Sequence, residues 1–118
     1  MLELAHKKLE VYKISLLFVK EVYKLTTRFP DIEKFALCSQ LRRASISICS
    51  NISEGCARSG LADRRRFFEI ARSSLVEVDC QVEIAKELDY LYPIDIEKIN
   101  ALSTSIFRLL SKMINQLL

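Results

Sequence analysis

Polar side chains recur at helical spacing in the middle of the chain and could build one ordered site. Five of them step by three or four residues, which places them on one face of an α-helix: Gln40, Arg43, Ser47, Asn51 and Glu54. Facing partners on the following predicted helix would be Glu69, Ser73 and Glu77. Because a buried arginine needs a carboxylate, we predict a polar network that fixes helix register, within one chain or between copies. The alternative interpretation is a catalytic or ligand site. If the network is desolvated, removing one charged partner should cost about 3 to 5 kcal/mol.

Four arginines that flank the turn after this helix suggest a second chemistry, contact with phosphate at one end of the bundle: Arg58, Arg64, Arg65 and Arg66. Three consecutive arginines cannot all face a core, and the start of the next helix adds its own positive end. The alternatives are a solvated helix start, or pairing with acidic residues of a neighbouring copy. No base-reading motif is recognisable, so any binding of RNA or DNA should be led by the phosphate backbone and sensitive to salt.

Charge is distributed unevenly along the 118 residues, although the net charge is only +3. Between Gln40 and Arg72 the chain carries seven arginines and three acidic residues, and between Val76 and Glu97 it carries seven acidic residues and one lysine. One surface should therefore be positive and another negative. Such a chain could bind an anionic polymer, or pair its basic and acidic surfaces between copies of itself.

No catalytic, cofactor or metal site is predicted. Proton transfer or nucleophilic attack needs a base beside a nucleophile, and the only histidine, His6, is remote in sequence from every cysteine and from Ser73-Ser74. The sequence has no glycine-rich phosphate loop and no Glu-x-x-His repeat of the di-iron type. The cysteines form no CxxC pair and are expected to be reduced, buried thiols: Cys38, Cys49, Cys56 and Cys80. We therefore expect a protein that is not an enzyme.

The chain reads as one domain, residues 1–118, with half of its residues hydrophobic. The N-terminus lacks the order of a secretory signal, and no apolar run approaches the ~20 residues that span a membrane. We expect a cytoplasmic protein.

The elements that must position these side chains are helical. Periodicity predicts helices over about 5–27, 32–58, 62–89 and 95–117, joined by short connections, and hence an all-α, antiparallel up-and-down four-helix bundle. Phe29-Pro30 should end the first helix, with Asp31 capping the second. Gly55 and Gly60 bracket the next turn.

Each predicted helix has an apolar stripe that should face the core. The stripes are Leu9, Tyr12, Leu16, Val19 and Tyr23; Leu37, Leu41, Ala44, Ile48 and Ile52; Phe68, Ala71, Leu75, Val78, Val82 and Ala85; and Ile99, Leu102, Ile106, Leu109, Met113 and Leu117. The first helix carries a second apolar set as well: Ile14, Leu17, Phe18, Val22 and Leu25. One bundle would leave much of this surface in water, so we predict self-association.

Several motifs, taken in order, resemble a known family. They are Phe29-Pro30-x-x-Glu33, Gln40-Leu41-Arg42-Arg43-Ala44, Ser47-Ile48-x-x-Asn51-Ile52-x-Glu54-Gly55, Phe67-x-x-x-Ala71, Ser74-Leu75-x-Glu77 and Gln81-x-x-x-Ala85. Together they are similar to the four-helix-bundle proteins encoded in 23S rRNA intervening sequences, over nearly the whole chain. The chain departs from many relatives at Cys56 and Ala57, which follow the Glu-Gly pair.

The resemblance implies a small bacterial protein that assembles as a homopentamer. Relatives include accessory proteins of diversity-generating retroelements, which associate with a reverse transcriptase and present a basic surface. We therefore expect a self-assembling, non-enzymatic bundle that contacts RNA, DNA or a nucleic-acid-processing protein through its basic end. The alternative is an oligomeric protein-interaction scaffold that does not bind nucleic acid.

Overall fold

The computed structural model describes all 118 residues, and its regular structure is entirely helical. The four long helices are α1 (Glu10–Thr26), α2 (Leu37–Ala57), α3 (Leu61–Glu87) and α4 (Glu97–Asn115). Short 3₁₀ turns precede α1, α2 and α4, at Ala5–Lys8, Asp31–Glu33 and Pro93–Ile96. Each helix packs against the next, and α4 packs back against α1. The predicted fold, an up-and-down four-helix bundle, is confirmed.

The first two helices begin about five residues later than predicted. Before α1, Leu9 is extended, with φ −70° and ψ 134°, and this residue separates the helix from the preceding 3₁₀ turn. Before α2, Asp31 makes no side-chain capping bond and lies in a 3₁₀ turn instead. Ile32 and Phe35 are 84% and 89% exposed, so an α-helix through this segment would bury no apolar face that could stabilise it.

The core is one cluster of 23 buried residues drawn from all four helices and their connections. Every residue of the stripes predicted for α2 and α3 is buried. In α4, Ile99 and Ile106 are buried as predicted. The predicted residues Leu109 and Met113 lie at the edge of the core, and their neighbours Leu110 and Ile114 are buried in their place.

The stripe predicted for α1 is wrong. The side chains that face the core are Val11, Ser15, Phe18, Val22 and Leu25, whereas Leu9, Leu16 and Tyr23 are exposed. Phe18 is the largest side chain with no exposed surface, and this orientation leaves Tyr12 and Tyr23 outside the interior, where a buried tyrosine hydroxyl would need a hydrogen-bond partner. Arg42 of α2 supports it, because its Nε donates to Thr26 Oγ1 at 2.9 Å and its guanidinium stacks on Tyr23. Tyr23 is thereby held at the outer edge of the α1–α2 contact.

Helices α2 and α3 pack most closely, and Gly55 permits the close approach at one end. A Cβ added at Gly55 would lie 2.7 Å from Phe68 Cε1 and 3.1 Å from Phe67 Cβ. At Gly60, the nearest atom to an added Cβ is 4.0 Å away. The two glycines therefore have different roles: Gly55 provides space, and Gly60 precedes α3 in an ordinary extended conformation, with φ −80°.

We predict that Gly55→Ala lowers the free energy of unfolding by about 1 to 3 kcal/mol, because Phe68 must shift within a packed core. The matched variant Gly60→Ala should change it by less than about 0.5 kcal/mol. Urea unfolding followed by circular dichroism measures both. Equal losses in the two variants would contradict the packing described for Gly55.

Candidate nucleic-acid interface

Positive charge is concentrated at the end of the bundle that contains the α2–α3 turn. Because neighbouring helices are antiparallel, the start of α1, the end of α2, the start of α3 and the end of α4 meet there. The half of the bundle nearer this turn, residues 1–17, 48–74 and 107–118, carries ten basic and five acidic side chains. The other half carries eight basic and ten acidic side chains. We call the half nearer the α2–α3 turn the basic end; it includes Arg58, Arg64, Arg65 and Arg66.

Two of its arginines share one carboxylate and one aromatic ring. Arg58 Nε lies 3.8 Å from Asp63 Oδ2, and Arg66 Nη2 lies 3.6 Å from Asp63 Oδ1. Both guanidinium groups stack on Phe67, at 4.7 and 5.1 Å from the ring centroid. One carboxylate cannot neutralise two guanidinium groups, and exposed pairs of this kind contribute only up to about 1 kcal/mol each. Arg58 and Arg66 therefore leave a net positive charge that a phosphate can reach.

The other two predicted arginines have different surroundings. Arg65 Nε is 3.6 Å from Glu69 Oε1, and its Nη1 donates to the Leu117 carbonyl oxygen at 3.4 Å, which ties α3 to the end of α4. Arg64 is half-buried, and its Nε is enclosed without a hydrogen-bond partner. It lies beside Cys56, where burial raises the pKa of the thiol and the Arg64 charge offsets part of that rise. One donor of Arg64 is therefore out of reach of a phosphate.

Four lysines that the sequence analysis did not select also belong to the basic end, and one of them, Lys13, lies in α1. Lys7 and Lys8 lie in the 3₁₀ turn before α1, and Lys112 lies in the last turn of α4. They are remote from Arg58 in sequence and share its end of the bundle only because of the up-and-down topology. The signal that could have identified them was the Lys7-Lys8 pair together with the predicted direction of each helix.

The polar side chains singled out on α2 and α3 form a seam along the outside of these two helices. We call this the polar seam; its members are Gln40, Arg43, Ser47, Asn51, Glu54, Glu69, Ser73 and Glu77. Only Ser47 and Asn51 are partly buried, and the rest are exposed. Arg43, Glu54 and Ser73 make no side-chain hydrogen bond or ion pair, and Glu69 pairs with Arg65. The polar seam therefore contains no desolvated charge pair within one chain. The expected loss of about 3 to 5 kcal/mol on removing one charged partner does not apply to the monomer.

Two buried residues, Ser74 and Gln81, form hydrogen bonds with members of the polar seam. Ser74 Oγ is 2.9 Å from Ser47 Oγ, and Asn51 Nδ2 donates to the Ser47 carbonyl oxygen at 2.8 Å and to its Oγ at 3.0 Å. Gln81 Nε2 donates to Glu77 Oε1 at 3.3 Å and to Gln40 Oε1 at 3.5 Å, while its own Oε1 is buried without a partner. Ser74 and Gln81 both fall within the recognised motifs, but their burial depended on the rotation of α3.

Potential nucleophiles and ligands are dispersed. His6 is buried, with its ring centroid 4.7 Å from that of Tyr12 in an edge-on arrangement. Burial raises the pKa of the Cys49 thiol to about 11. Cys38 is buried, Cys49 and Cys56 are half-buried and Cys80 is exposed, so the expectation that all four thiols are buried is confirmed only for Cys38 and is wrong for Cys80. No group of three or more His, Cys, Asp or Glu side chains is arranged to hold a metal ion, and no helix is both long and apolar enough to cross a membrane.

The geometry defines a class of protein: a small all-α bundle with a basic end and a partly connected polar seam. A crystal structure from Bacteroides thetaiotaomicron VPI-5482, described as a protein of unknown function from the S23 ribosomal protein family, is similar to this chain with a TM-score of 0.78 and 28% sequence identity. The match covers 88% of this chain and 97% of that one. The sequence profile of the 23S rRNA-intervening sequence protein family matches residues 7–112. The chain belongs to this family, as the motifs indicated. No curated protein matches it.

The unpartnered oxygen of Gln81 gives a test of the seam. We predict that Gln81→Met raises the free energy of unfolding by about 1 kcal/mol, since a similarly shaped apolar side chain removes a buried, unsatisfied acceptor. Gln40→Met, at the exposed partner, should change it by less than about 0.5 kcal/mol. Chemical denaturation measures both values. A loss exceeding about 1 kcal/mol for Gln81→Met would contradict this prediction and show that the hydrogen bonds of Gln81 outweigh the cost of its unpartnered oxygen.

Proposed function

We propose that this protein is a non-enzymatic, self-assembling bundle whose basic end binds the phosphate backbone of RNA. The observation that carries the proposal is the charge excess at one pole, where Arg58 and Arg66 share a single carboxylate. Guanidinium groups donate in a planar fork that matches phosphate oxygens, and a phosphate can replace a weakly held carboxylate. Recognition of this kind depends on phosphate spacing and shape and does not read base sequence.

Self-assembly would strengthen such binding. Each chain offers only a few phosphate contacts, so a monomer would bind weakly at physiological salt. Copies joined side by side would present their basic ends together, and the linked contacts would act as one multivalent site. The family resemblance favours a pentamer, which would have five times the 13.6 kDa mass of the chain. A cytoplasmic location fits RNA as the ligand.

Support for a non-enzymatic role comes from the potential nucleophiles and bases. His6 packs against Tyr12 and has no serine or cysteine partner within hydrogen-bonding distance. The Cys49 thiol, with a pKa of about 11, is almost entirely protonated at neutral pH and is a poor nucleophile. No general base is placed beside a nucleophile, which is the arrangement that covalent catalysis requires.

A second function is favoured by a specific observation: the accessible arginines already have acidic neighbours in the chain, Asp63 and Glu69. If these pairs persist in solution, the arginines are held by their carboxylates and are less free to contact phosphate. The protein would then be an oligomeric scaffold for other proteins, among them a nucleic-acid-processing protein, with no direct contact to RNA or DNA.

We predict that wild-type protein binds a structured RNA, and duplex DNA, with an affinity that falls steeply as salt rises. Replacing Arg58, Arg65 and Arg66 together with glutamine should lower the slope of log K against log salt by about 2 to 3 for each chain that contacts RNA. Arg64→Gln should weaken binding less than Arg66→Gln, because Arg64 is half-buried and Arg66 is exposed. Fluorescence anisotropy at low and near-physiological salt measures the affinities, with light scattering to verify the assembly.

The matched control removes equal charge at the opposite end, by replacing Lys34, Lys86 and Lys98 with glutamine. It should bind RNA with wild-type affinity. Absence of binding at low salt by a well-formed assembly would refute the RNA proposal and leave the scaffold. Equal losses in the two triple variants would show that binding follows net charge and not the basic end.

A further inference from the structure

The apolar stripe of α1 that the core does not use has the spacing of a helix-packing seam. It consists of Leu9, Tyr12, Leu16, Val19 and Tyr23, and we call it the α1 ridge. The intervals of three and four residues give a repeat of 3.5 residues, which is typical of one helix packing against another. Leu9, Leu16 and Tyr23 are 36%, 48% and 39% exposed, and Tyr12 and Val19 are half-buried. Tyr12 packs against the edge of the core and Tyr23 is stacked by Arg42, but Leu9 and Leu16 have no partner helix within the chain.

A matching depression lies on the other side of the bundle, between α3 and α4. It has a volume of about 420 Å³, and buried side chains form its floor, among them Phe18, Val78 and Ile99. Its rims carry Val76 and Phe107, which are 54% and 45% exposed. We call it the α3–α4 groove. Helices α3 and α4 pack least closely of the four neighbouring pairs, which leaves the groove open.

The charges beside the ridge and the groove are complementary. Lys20 flanks the ridge, is exposed and makes no ion pair, while Asp79 lines the groove, is exposed and makes no ion pair. Nearer the basic end the signs are reversed. Glu10 is exposed at the start of α1, while the groove is lined there by Arg108 and flanked by Arg72, whose Nη1 donates to Ser111 Oγ at 3.0 Å and whose guanidinium stacks on the rim residue Phe107.

These opposite charges also lie at similar heights along the bundle. Phe18 of α1 and Val78 of α3 meet in the floor of the groove, which sets a common level. At about 1.5 Å per residue, Lys20 lies about 3 Å above that level and Asp79 about 1.5 Å above it. Glu10 lies about 12 Å below it and Arg72 about 9 Å below it. Two copies placed side by side in the same orientation would bring each charge close to its opposite.

We propose that the α1 ridge of one copy packs into the α3–α4 groove of the next. This inference rests on the self-assembly proposed above and names its interface. The contact is heterologous, since ridge and groove are different surfaces on opposite sides of the bundle, and repetition closes into a ring if the rotation between copies allows it. All bundle axes then point the same way, so the basic ends of all copies lie on one face of the ring.

The apolar half of the contact is tested with Leu16→Glu. The assembly should dissociate to a species with the 13.6 kDa mass of one chain in sedimentation equilibrium, because a carboxylate would be buried in the groove. The matched control Ile32→Glu changes an exposed apolar residue outside the contact and should leave the assembly mass unchanged. Circular dichroism and urea unfolding of the dissociated variant should show a folded bundle, which separates dissociation from unfolding.

The charge pairing is tested with a reciprocal exchange. Lys20→Glu alone and Asp79→Lys alone should each raise the dissociation constant of the assembly at least tenfold at low salt. The double variant Lys20→Glu/Asp79→Lys should recover it to within about threefold of wild type, because each copy again meets an opposite charge on its neighbour. Lys34→Glu, with the same charge change as Lys20→Glu, should have no effect.

The outcomes separate the interface from self-assembly itself. If wild type assembles and Leu16→Glu assembles equally well, the ridge–groove interface is overturned while self-assembly stands. A wild-type chain that is monomeric at every concentration overturns both. Failure of the double variant to recover the assembly overturns the pairing of Lys20 with Asp79, and with it the proposed register of the two copies.

Discussion

A helix in a four-helix bundle can turn only one stripe toward the core, and α1 carries two. Phe18, Val22 and Leu25 pack in the interior, where they need no hydrogen-bond partner, and Leu16 lies outside with the tyrosines of the other stripe. Much of the rest of the molecule depends on this choice. It sets the contact of Arg42 with Thr26 and Tyr23, it brings Phe18 to the floor of the α3–α4 groove, and it leaves a regular apolar surface that one chain cannot cover.

The proposed self-assembly and the proposed phosphate binding are linked by the direction of the helices. Up-and-down topology gathers the arginines of the α2–α3 turn with the lysines of the N-terminal turn and of α4 at one end. A cyclic contact between parallel bundles would repeat that end on a single face, where several modest phosphate contacts add up. The polar seam lies outside the ridge and the groove, and the unpaired side chains of Arg43 and Glu54 remain available for contacts between copies or with another protein.

How much could be predicted from the sequence differed from helix to helix, for physical reasons. The stripes of α2 and α3 were predictable because each helix has one apolar face, and all their members are buried. Periodicity could not choose between the two stripes of α1, since that choice depends on the other three helices. The basic end was predictable from Arg58, Arg65 and Arg66, but not the enclosure of Arg64 beside Cys56, which depends on how α2 and α3 meet around Gly55.

Zero-length cross-linking of a mixed assembly tests the central claim most directly, because it joins only carboxylates and amines that are already in contact. Light and heavy isotope-labelled copies would be assembled together, treated with a carbodiimide, digested and analysed by mass spectrometry. The account predicts cross-links between Lys20 of one copy and Asp79 of another, identified by peptides that combine light and heavy chains. Mixed cross-links located only along the polar seam, or none between Lys20 and Asp79 in an assembly of proven mass, would contradict it.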